Sequence, residues 1–235
     1  MIGEIRRIST KEARPLVEKY HYSKNLPAGK NICFGWFLPE PEEETDLFGE
    51  KKTPYAVAVY GIGSNARIYD CLARESGLLV NANNTYELKR LVREGDKEDR
   101  RVSLSQLLSV CHKALLKEDG IRYIVSYSDP QFNPDGGIYA ASNFTLIGWT
   151  NNHNWQIIKA DGTSTNRRTL NHWRAAHGNP SVDDACAILG YKKVNAPPKK
   201  RWFLCLDPKD QKILRRKFPP KPKTDWITEL EETVI

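Results

Sequence analysis

The sequence contains no paired-cysteine motif, no long apolar run and no glycine-rich nucleotide loop. Its five cysteines are odd in number and scattered, so neither a disulfide framework nor a thiolate zinc site is indicated, and a reducing cytosol suits them best. The N-terminus lacks the apolar core of a signal peptide, and no stretch reaches the roughly 20 apolar residues that span a bilayer. We therefore expect a cytoplasmic protein that makes no membrane contact.

The bulk composition indicates a globular protein with a basic surface. The chain has 235 residues, of which 40% are hydrophobic, and this is enough to fill the core of one α/β domain. Its formal net charge is +7, which attracts polyanions such as nucleic acids. Charge alone does not identify a partner, because many basic proteins never bind nucleic acid.

Strands and helices alternate along the first part of the chain. Ser9 and Glu12 form a capping-box pattern that predicts the start of a helix. Apolar residues recur at helical spacing over Leu104–Leu115, Gly120 ends that helix, and residues 121–128 have the pattern of a buried strand. This alternation predicts an α/β fold with a mixed central sheet flanked by helices.

The composition changes along the chain and suggests three regions within a single domain. Residues 1–150 form the α/β core, in which residues 39–54 are expected to be a solvated hairpin loop. Residues 151–200 are polar and are expected to be a long loop interrupted by a short helix over 181–189. Residues 201–235 supply a last strand and a basic tail.

One turn combines the features of an anion-binding site. Ser103 precedes the predicted helix and is followed three residues later by Gln106, while Arg100 and Arg101 stand just before it and Arg90 lies on the strand upstream. Free helix amides, the positive end of the helix dipole and guanidinium groups together suit a phosphate. The alternative is an ordinary capped helix whose arginines point into water.

A carboxylate and a phenol are the first candidates for catalysis. Asp129 follows a predicted central strand, and Tyr139 lies in the short helix beyond, where ligands of open α/β sheets collect. The two groups could accept and donate the protons that chemistry on an amine requires. His21 could be a base or a metal ligand. Each residue also has a structural alternative as a turn former, a packed ring or a helix cap.

The polar region carries side chains that suit nucleic acid. Amides, guanidinium groups and aromatic rings alternate there, and such groups contact base edges, phosphates and an unstacked base. The candidates for DNA binding are Arg167, Arg168, His172, Trp173 and Arg174, followed in the basic tail by Lys199 and Lys200. The alternative is a polar loop whose tryptophans pack on the core, with a solvated basic tail.

Four segments together resemble the Mom family of phage DNA-modification proteins. They are His21-Tyr22-Ser23-Lys24, Glu87-Leu88-x-Arg90-Leu91, Ser126-Tyr127-x-Asp129 and Gly137-Ile138-Tyr139-x-Ala141-Ser142-Asn143-Phe144. The resemblance covers roughly residues 15 to 150. It implies an acetyltransferase-like (GNAT) fold, a phage or prophage origin with action in the host cytoplasm, and conversion of adenine in double-stranded DNA to N6-carbamoylmethyladenine, which protects the DNA from restriction.

The resemblance also implies roles for individual positions. The catalytic set would be His21, Tyr22, Asp129 and Tyr139. The cofactor-binding set would be Arg90, Leu91, Val92, Ser103 and Asn143, with Leu91 and Val92 offering backbone groups to a pantetheine arm, and the anion-binding turn adds Arg100 and Arg101 to it. Lys24 would join the DNA-binding residues.

The chain departs from typical acetyltransferases because their glycine-containing pyrophosphate loop is replaced by residues 100–105. The donor would be acetyl-CoA or a related acyl donor. Because the implied product carries a carbamoylmethyl group and not an acetyl group, a further nitrogen source, a different acyl donor or a redox-active metal such as iron would also be needed. The oligomeric state stays open, a dimer included. Two alternatives remain: a conventional N-acetyltransferase for a protein, RNA or small amine, and a non-catalytic DNA-binding protein.

Overall fold

The computed structural model describes residues 3–39, 53–63, 65–95, 101–130, 136–150, 155–165 and 167–220. Arg100 and nearly all of the predicted hairpin loop lie outside these ranges, and the side chain of Arg168 is not described. No helix of the described part is long and apolar enough to cross a membrane.

Within these ranges the chain forms two compact units. The first comprises residues up to 127 together with 136–147 and 201–220, and the second comprises 128–130 and 148–200. The division of the sequence into three regions of one domain stays a prediction.

A seven-stranded sheet runs in the order β1-β2-β3-β4-β5-β10-β6, and a three-stranded sheet in the order β8-β7-β9. Neighbouring strands from β1 to β4 are antiparallel, and β4 and β5 are parallel. The strands are β1 (Glu4–Ile8), β2 (Asn31–Phe37), β3 (Ala56–Gly61), β4 (Thr85–Arg93), β5 (Tyr123–Ser128), β6 (Thr145–Trp149), β7 (Trp155–Ile158), β8 (Ser164–Thr165), β9 (Lys192–Asn195) and β10 (Lys200–Cys205). The predicted mixed central sheet is confirmed.

The described residues of the two units also form seven helices. They are α1 (Thr10–Tyr20), α2 (Arg67–Ser76), α3 (Leu104–Asp119), α4 (Gly137–Ala141), α5 (Arg167–Ala176), α6 (Val182–Leu189) and α7 (Pro208–Lys217). Val57 and Val59 pack against α1, whereas Tyr60 must point to the opposite face because strand side chains alternate. There its ring meets that of His112 of α3, with 5.9 Å between centroids.

The polar region is folded, so the long loop expected there was wrong. Leu170 of α5 packs with Ile157 of β7 and with Cys186 of α6 to form a separate apolar cluster. Some of its polar residues are exposed, among them Asn171 and His172 of α5. The predicted helix over 181–189 is confirmed by α6, which Ser181 caps and Gly190 ends.

One extra residue interrupts the pairing of β3 with β4. Val59 lies opposite Arg90 and Tyr60 lies opposite Leu88, so Lys89 has no counterpart on β3. Such a bulge bends its strand. The parallel pairing of β4 with β5 ends just before it, at Glu87 and Val125, so among the described residues β4 has no paired strand on its β5 side from residue 88 onward.

Gly136 allows α4 to start close to Trp202. Its φ is +59°, and an added Cβ would lie 2.4 Å from Cζ2 of Trp202. We expect Gly136→Ala to lower the free energy of unfolding by about 2–4 kcal/mol, because it adds backbone strain to a steric clash. Gly137→Ala is the matched control, since its Cβ would have no neighbour within 4 Å. Chemical denaturation measures both; equal stability of the two variants would contradict this packing.

Candidate active site

A buried hydroxyl cluster lies where β4 and β5 part. The Ser126 hydroxyl lies 2.9 Å from the Leu88 carbonyl oxygen and 3.1 Å from the Tyr139 phenolic oxygen, which is 3.3 Å from the Tyr127 carbonyl oxygen. The Tyr139 ring stacks on that of Trp202 with 5.5 Å between centroids. The phenol is therefore held in a defined place at the opening between the two strands.

The environment of Tyr139 keeps its phenol protonated. Burial raises the pKa of Tyr139 to about 12, against the smaller lowering effect of the Ser126 hydrogen bond, and the charges of Tyr22 and Glu87 raise it further. At neutral pH the group can donate a proton or a hydrogen bond, but it cannot serve as a phenolate base.

Glu87 belongs to the same opening, and the sequence analysis did not single it out. It pairs with Val125 of β5 and with Gly61 of β3, so its side chain shares the face on which α2 packs, opposite to that of Ser126. Its charge raises the pKa of Tyr139 and of Tyr127. The signal in the sequence was a carboxylate inside an otherwise apolar and basic strand.

His21 and Tyr22 follow α1 as expected. The His21 Nδ1 atom accepts the backbone N–H of Ser23 at 3.1 Å and lies 2.8 Å from its hydroxyl. This arrangement places the imidazole proton on Nε2. His21 is 9% exposed, whereas Tyr22 is 47% exposed, and their ring centroids lie 4.3 Å apart. With Nδ1 occupied and Nε2 protonated, His21 is better arranged as a donor than as a base.

Arg90 was expected to bind a phosphate of the cofactor, and in the structure it donates hydrogen bonds to Asn25 and Lys89. Its Nε atom donates to the Asn25 carbonyl at 3.0 Å, one terminal nitrogen to the Asn25 side-chain oxygen at 2.8 Å, and the other to the Lys89 carbonyl at 2.7 Å. Burial lowers the pKa of Arg90, and the charges of Tyr22 and Glu87 oppose that shift. These contacts give Arg90 the role of tethering the loop that follows α1.

The predicted anion turn is present in part. Ser103 occupies the N-cap position of α3, but its hydroxyl does not cap the helix and lies 2.8 Å from that of Ser105. Arg101 donates to the Tyr55 phenol at 2.7 Å and lies over its ring. Arg93, which the sequence analysis missed, donates to the Val102 carbonyl at 3.2 Å. Two guanidinium groups thus bracket the start of α3.

The register of β4 distinguishes Leu91 from Val92. The Glu94 N–H donates to the Tyr55 carbonyl at 2.8 Å, and Val92 pairs with Val57 two residues along. Because hydrogen-bonded pairs alternate in an antiparallel ladder, the peptide groups of Val92 point to β3 and those of Leu91 point to the open β5 side. Of the two residues expected to meet a pantetheine arm, only Leu91 has this orientation.

Asp129 and Tyr139, the predicted catalytic pair, belong to different units. The Asp129 carboxylate forms an ion pair with Lys199 at 2.9 Å, and the Asp129 side chain is 11% exposed. Lys199 is one of the residues expected to bind DNA. The structure therefore joins a predicted catalytic carboxylate to a predicted DNA-binding lysine, and both roles stay predictions.

Asn143, expected near the donor, follows the C-cap of α4 and contacts α7. Its backbone carbonyl accepts from Gln211 at 3.0 Å, and its side-chain oxygen accepts from Arg215 at 3.2 Å. Its φ is +65°, a conformation that Asn tolerates better than most residues. These contacts explain its place without a donor.

Most of the predicted DNA-binding residues have partners within the second unit. Arg167 donates to the Trp155 carbonyl through two nitrogens and lies over the Trp155 ring at 3.9 Å. Trp173 stacks on His177 with 4.2 Å between centroids and packs on the local core. Arg174 donates to the Pro180 carbonyl at 2.6 Å. The contacts of these side chains fit the alternative of tryptophans packed on a local core, and their role in DNA binding stays a prediction.

The remaining DNA-binding candidates differ in how far their side chains are exposed to solvent. Lys200 is 2% exposed and lies over the Trp149 ring, so it does not offer its charge to a phosphate in this conformation. Lys24 and His172 are exposed, and the Lys24 ammonium donates to the Lys19 carbonyl. They fit the prediction better than the buried lysine.

The described residues contain no group of three or more His, Cys, Asp or Glu side chains that could hold a metal ion. In particular, His21 has one ring nitrogen engaged by Ser23. Among these residues the iron site suggested by the resemblance finds no ligand set, so we derive no step through a metal.

The sequence matches the model of the Mom protein family over residues 3–223. The chain belongs to the Mom protein family. This match extends beyond the segments that suggested it and includes the second unit of this family member. No curated protein sequence matches the chain.

Solved structures with a similar backbone fold include several acetyltransferases. Arabidopsis thaliana NAA60 in complex with acetyl-CoA has a TM-score of 0.49 and 8% identity, over 86% of this chain and 97% of that one. An N-acetyltransferase of Staphylococcus aureus has a TM-score of 0.44 and 13% identity, over 88% and 98%. A GNAT-family acetyltransferase of Bacillus anthracis has a TM-score of 0.44 and 12% identity, over 88% and 99%. This likeness alone assigns no activity to this member of the Mom family.

The contacts of Arg90 predict that Arg90→Lys loosens the loop after α1. Lysine cannot reproduce the two-point contact with Asn25, so we expect hydrogen exchange of residues 22–30 to accelerate about tenfold or more. Affinity for acetyl-CoA should change less than twofold, because the guanidinium is already bonded within the protein. Exchange mass spectrometry and calorimetry give the two readouts.

The control is Arg14→Lys, an exposed arginine paired with Glu18 on α1, which should leave both readouts unchanged. A large loss of acetyl-CoA affinity in Arg90→Lys, with the exchange of the loop unaltered, would instead assign Arg90 to the donor.

Proposed function

We propose that this protein is an acyl-CoA-dependent enzyme that modifies the N6 amino group of adenine in double-stranded DNA, with N6-carbamoylmethyladenine as the product. One observation carries the proposal. In this chain of the Mom family, the protonated phenol of Tyr139 and the carboxylate of Glu87 flank the opening between β4 and β5 from opposite faces of the sheet.

The donor side of the opening is proposed to be the face that carries α3 and α4. The free peptide groups of Leu91 would pair with the amides of a pantetheine arm, as an added strand would. The amides at the start of α3, with Arg93 and Arg101 beside them, suit the pyrophosphate of coenzyme A. Because these groups could bind the pyrophosphate, the lack of a glycine-containing pyrophosphate loop does not argue against coenzyme A as part of the donor.

The acceptor side is proposed to be the opposite face, where Glu87 lies. A carboxylate there would accept a proton from the adenine amine as the new bond forms. Tyr139 would donate a hydrogen bond or a proton on the donor side, the only direction its raised pKa allows at neutral pH. His21, with a protonated Nε2, is a second donor in this region.

The basic face of α7 is proposed to attract the DNA backbone. Its exposed cations outnumber its single carboxylate, Asp210; they are Lys209, Lys212, Arg215, Arg216 and Lys217. Such a cluster supports non-specific phosphate binding that weakens as salt rises. A target adenine would then have to leave the stack at a cost of a few kcal/mol.

The proposed product sets a requirement beyond acyl transfer. The adenine nitrogen is joined to the former methyl carbon of an acetyl group, and this bond removes two electrons and two hydrogens. The amide nitrogen replaces the thiolate of coenzyme A. An oxidant and an ammonia-equivalent donor must therefore accompany the acyl donor, and we assign neither to residues of this chain.

Mass spectrometry of nucleosides tests the proposal. Plasmid DNA from cells that express the protein is expected to contain a deoxyadenosine heavier by the carbamoylmethyl group. Tyr139→Phe and Glu87→Gln should each lower its amount about 100-fold or more, since positioned proton donors and acceptors contribute this much. Tyr86→Phe is the control, because burial is the main cause that raises the pKa of that tyrosine and its strongest charge interactions are with Asp119 and Arg7, outside this cluster.

The other outcomes distinguish the alternatives. Unmodified DNA, together with release of coenzyme A when a small amine or peptide is supplied with acetyl-CoA, would indicate a conventional acetyltransferase. DNA binding without modification or coenzyme A release would indicate a non-catalytic DNA-binding protein. Equal activity of wild type, Tyr139→Phe and Glu87→Gln would overturn the assigned roles.

A further inference from the structure

A second concave site lies outside the proposed active site. An open cavity of about 580 Å³ is lined by the outward face of α3, the C-terminal end of α4, the end of β10 and part of α7. All of these elements belong to the first unit. This volume is in the range of small-molecule sites and exceeds what a few water molecules require.

Two of the side chains that line the cavity carry buried polar atoms without a partner. The Nε2 atom of His112 and the hydroxyl of Ser142 have no hydrogen bond to any described residue. The two residues are 8% and 9% exposed. Unpaired buried polar atoms are costly and rare in native proteins, and a bound ligand is one of the standard reasons for them.

The imidazole of His112 is neutral at physiological pH. It lies edge-on to the rings of Tyr60 and Phe144, and burial lowers its pKa to about 4. A neutral imidazole offers one donor and one acceptor. It therefore suits a partner that is itself both donor and acceptor, such as the edge of a heterocycle or a ribose hydroxyl.

The charged side chains that line the cavity are all positive. Lys113 of α3 and Arg215 of α7 are exposed and line the cavity, whereas none of its lining residues is acidic. The amide side chain of Gln106 also lines it. The buried side of the cavity offers uncharged hydrogen-bonding groups, and its exposed side offers cations. This arrangement suits a ligand with a polar ring at one end and an anion at the other.

We propose that this cavity binds a small organic phosphate of the nucleoside monophosphate class. The heterocycle or ribose would meet His112 and Ser142, and the phosphate would meet Lys113 and Arg215. The proposal does not depend on the function of the opening between β4 and β5.

The cavity adjoins the proposed donor site at the first turn of α3, where Ser105 and Gln106 line it, and extends from there to the other end of α4. Tyr139 presents its hydroxyl to Ser126 of β5, while the cavity lies at the far end of α4, at Ser142 and Asn143. The ring of Phe144 stands edge-on to both Tyr139 and His112, 5.5 and 5.8 Å between centroids. An aromatic partition thus lies between the hydroxyl cluster and the cavity.

Titration with AMP, adenosine and inorganic phosphate tests the proposal on the full chain, with calorimetry for affinity and the imidazole resonances of His112 for location. AMP should bind at least tenfold more tightly than either adenosine or phosphate and should shift the His112 signals. Lys113→Gln and Arg215→Gln should each weaken AMP binding about tenfold, the size expected for a charge-assisted hydrogen bond.

The chain offers matched controls on the same two helices. Lys117 of α3 and Arg216 of α7 are exposed and are not lining residues, so Lys117→Gln and Arg216→Gln should change AMP affinity less than twofold at physiological salt. Ser142→Ala and His112→Phe should each weaken AMP binding while leaving the affinity for phosphate alone unchanged. All four surface variants are expected to fold normally.

Three results would overturn the proposal. The first is the absence of AMP binding at concentrations up to about 10 mM, since a weaker affinity would not indicate a specific site. The second is equal affinity for AMP and inorganic phosphate. The third is an equal loss of AMP affinity in the Lys113 and Lys117 variants, which would reveal only diffuse attraction to a basic surface.

Discussion

The proposed active site depends on one extra residue in the central sheet. Lys89 has no counterpart on β3, and the pairing of β4 with β5 stops immediately before it. A continuous ladder would satisfy the peptide groups of Leu91 within the sheet and leave nothing for a ligand to bind. The bulge instead opens one edge of an interior strand, with Ser126 and Tyr139 on one face and Glu87 on the other. Residues from three different elements, β4, β5 and α4, gain a common site because two strands part.

The same stretch of β4 also organises the segments around the opening. Arg90 tethers the loop after α1, and that loop carries His21 and Tyr22. Arg93 reaches the turn before α3. This one strand thus supplies a tether for one loop, peptide groups on its open edge, a cation near the helix start and the carboxylate proposed for the acceptor side. Substitutions in β4 are therefore expected to act on several parts of the site together, and the test of each role needs a readout of its own.

Local patterns in the sequence predicted local structure well. The Ser9 and Glu12 capping box is present, and Gly120 ends α3, because these signals depend only on neighbours along the chain. The failures involve distant partners. Nothing in the local sequence shows that Arg90 meets Asn25 or that Arg167 lies on Trp155. A polar composition also concealed helix α5 and the three strands of 155–195, since their apolar cluster is small.

The proposed donor contact gives the most direct test of the central claim. Backbone amide shifts of Leu91 and Val92 would be followed by NMR as acetyl-CoA is added to the full chain. A donor arm in the opening predicts a saturable shift of the Leu91 amide and little change at Val92, whose N–H faces β3. Saturable binding of acetyl-CoA that leaves Leu91 unmoved would contradict the account, and so would the absence of any binding.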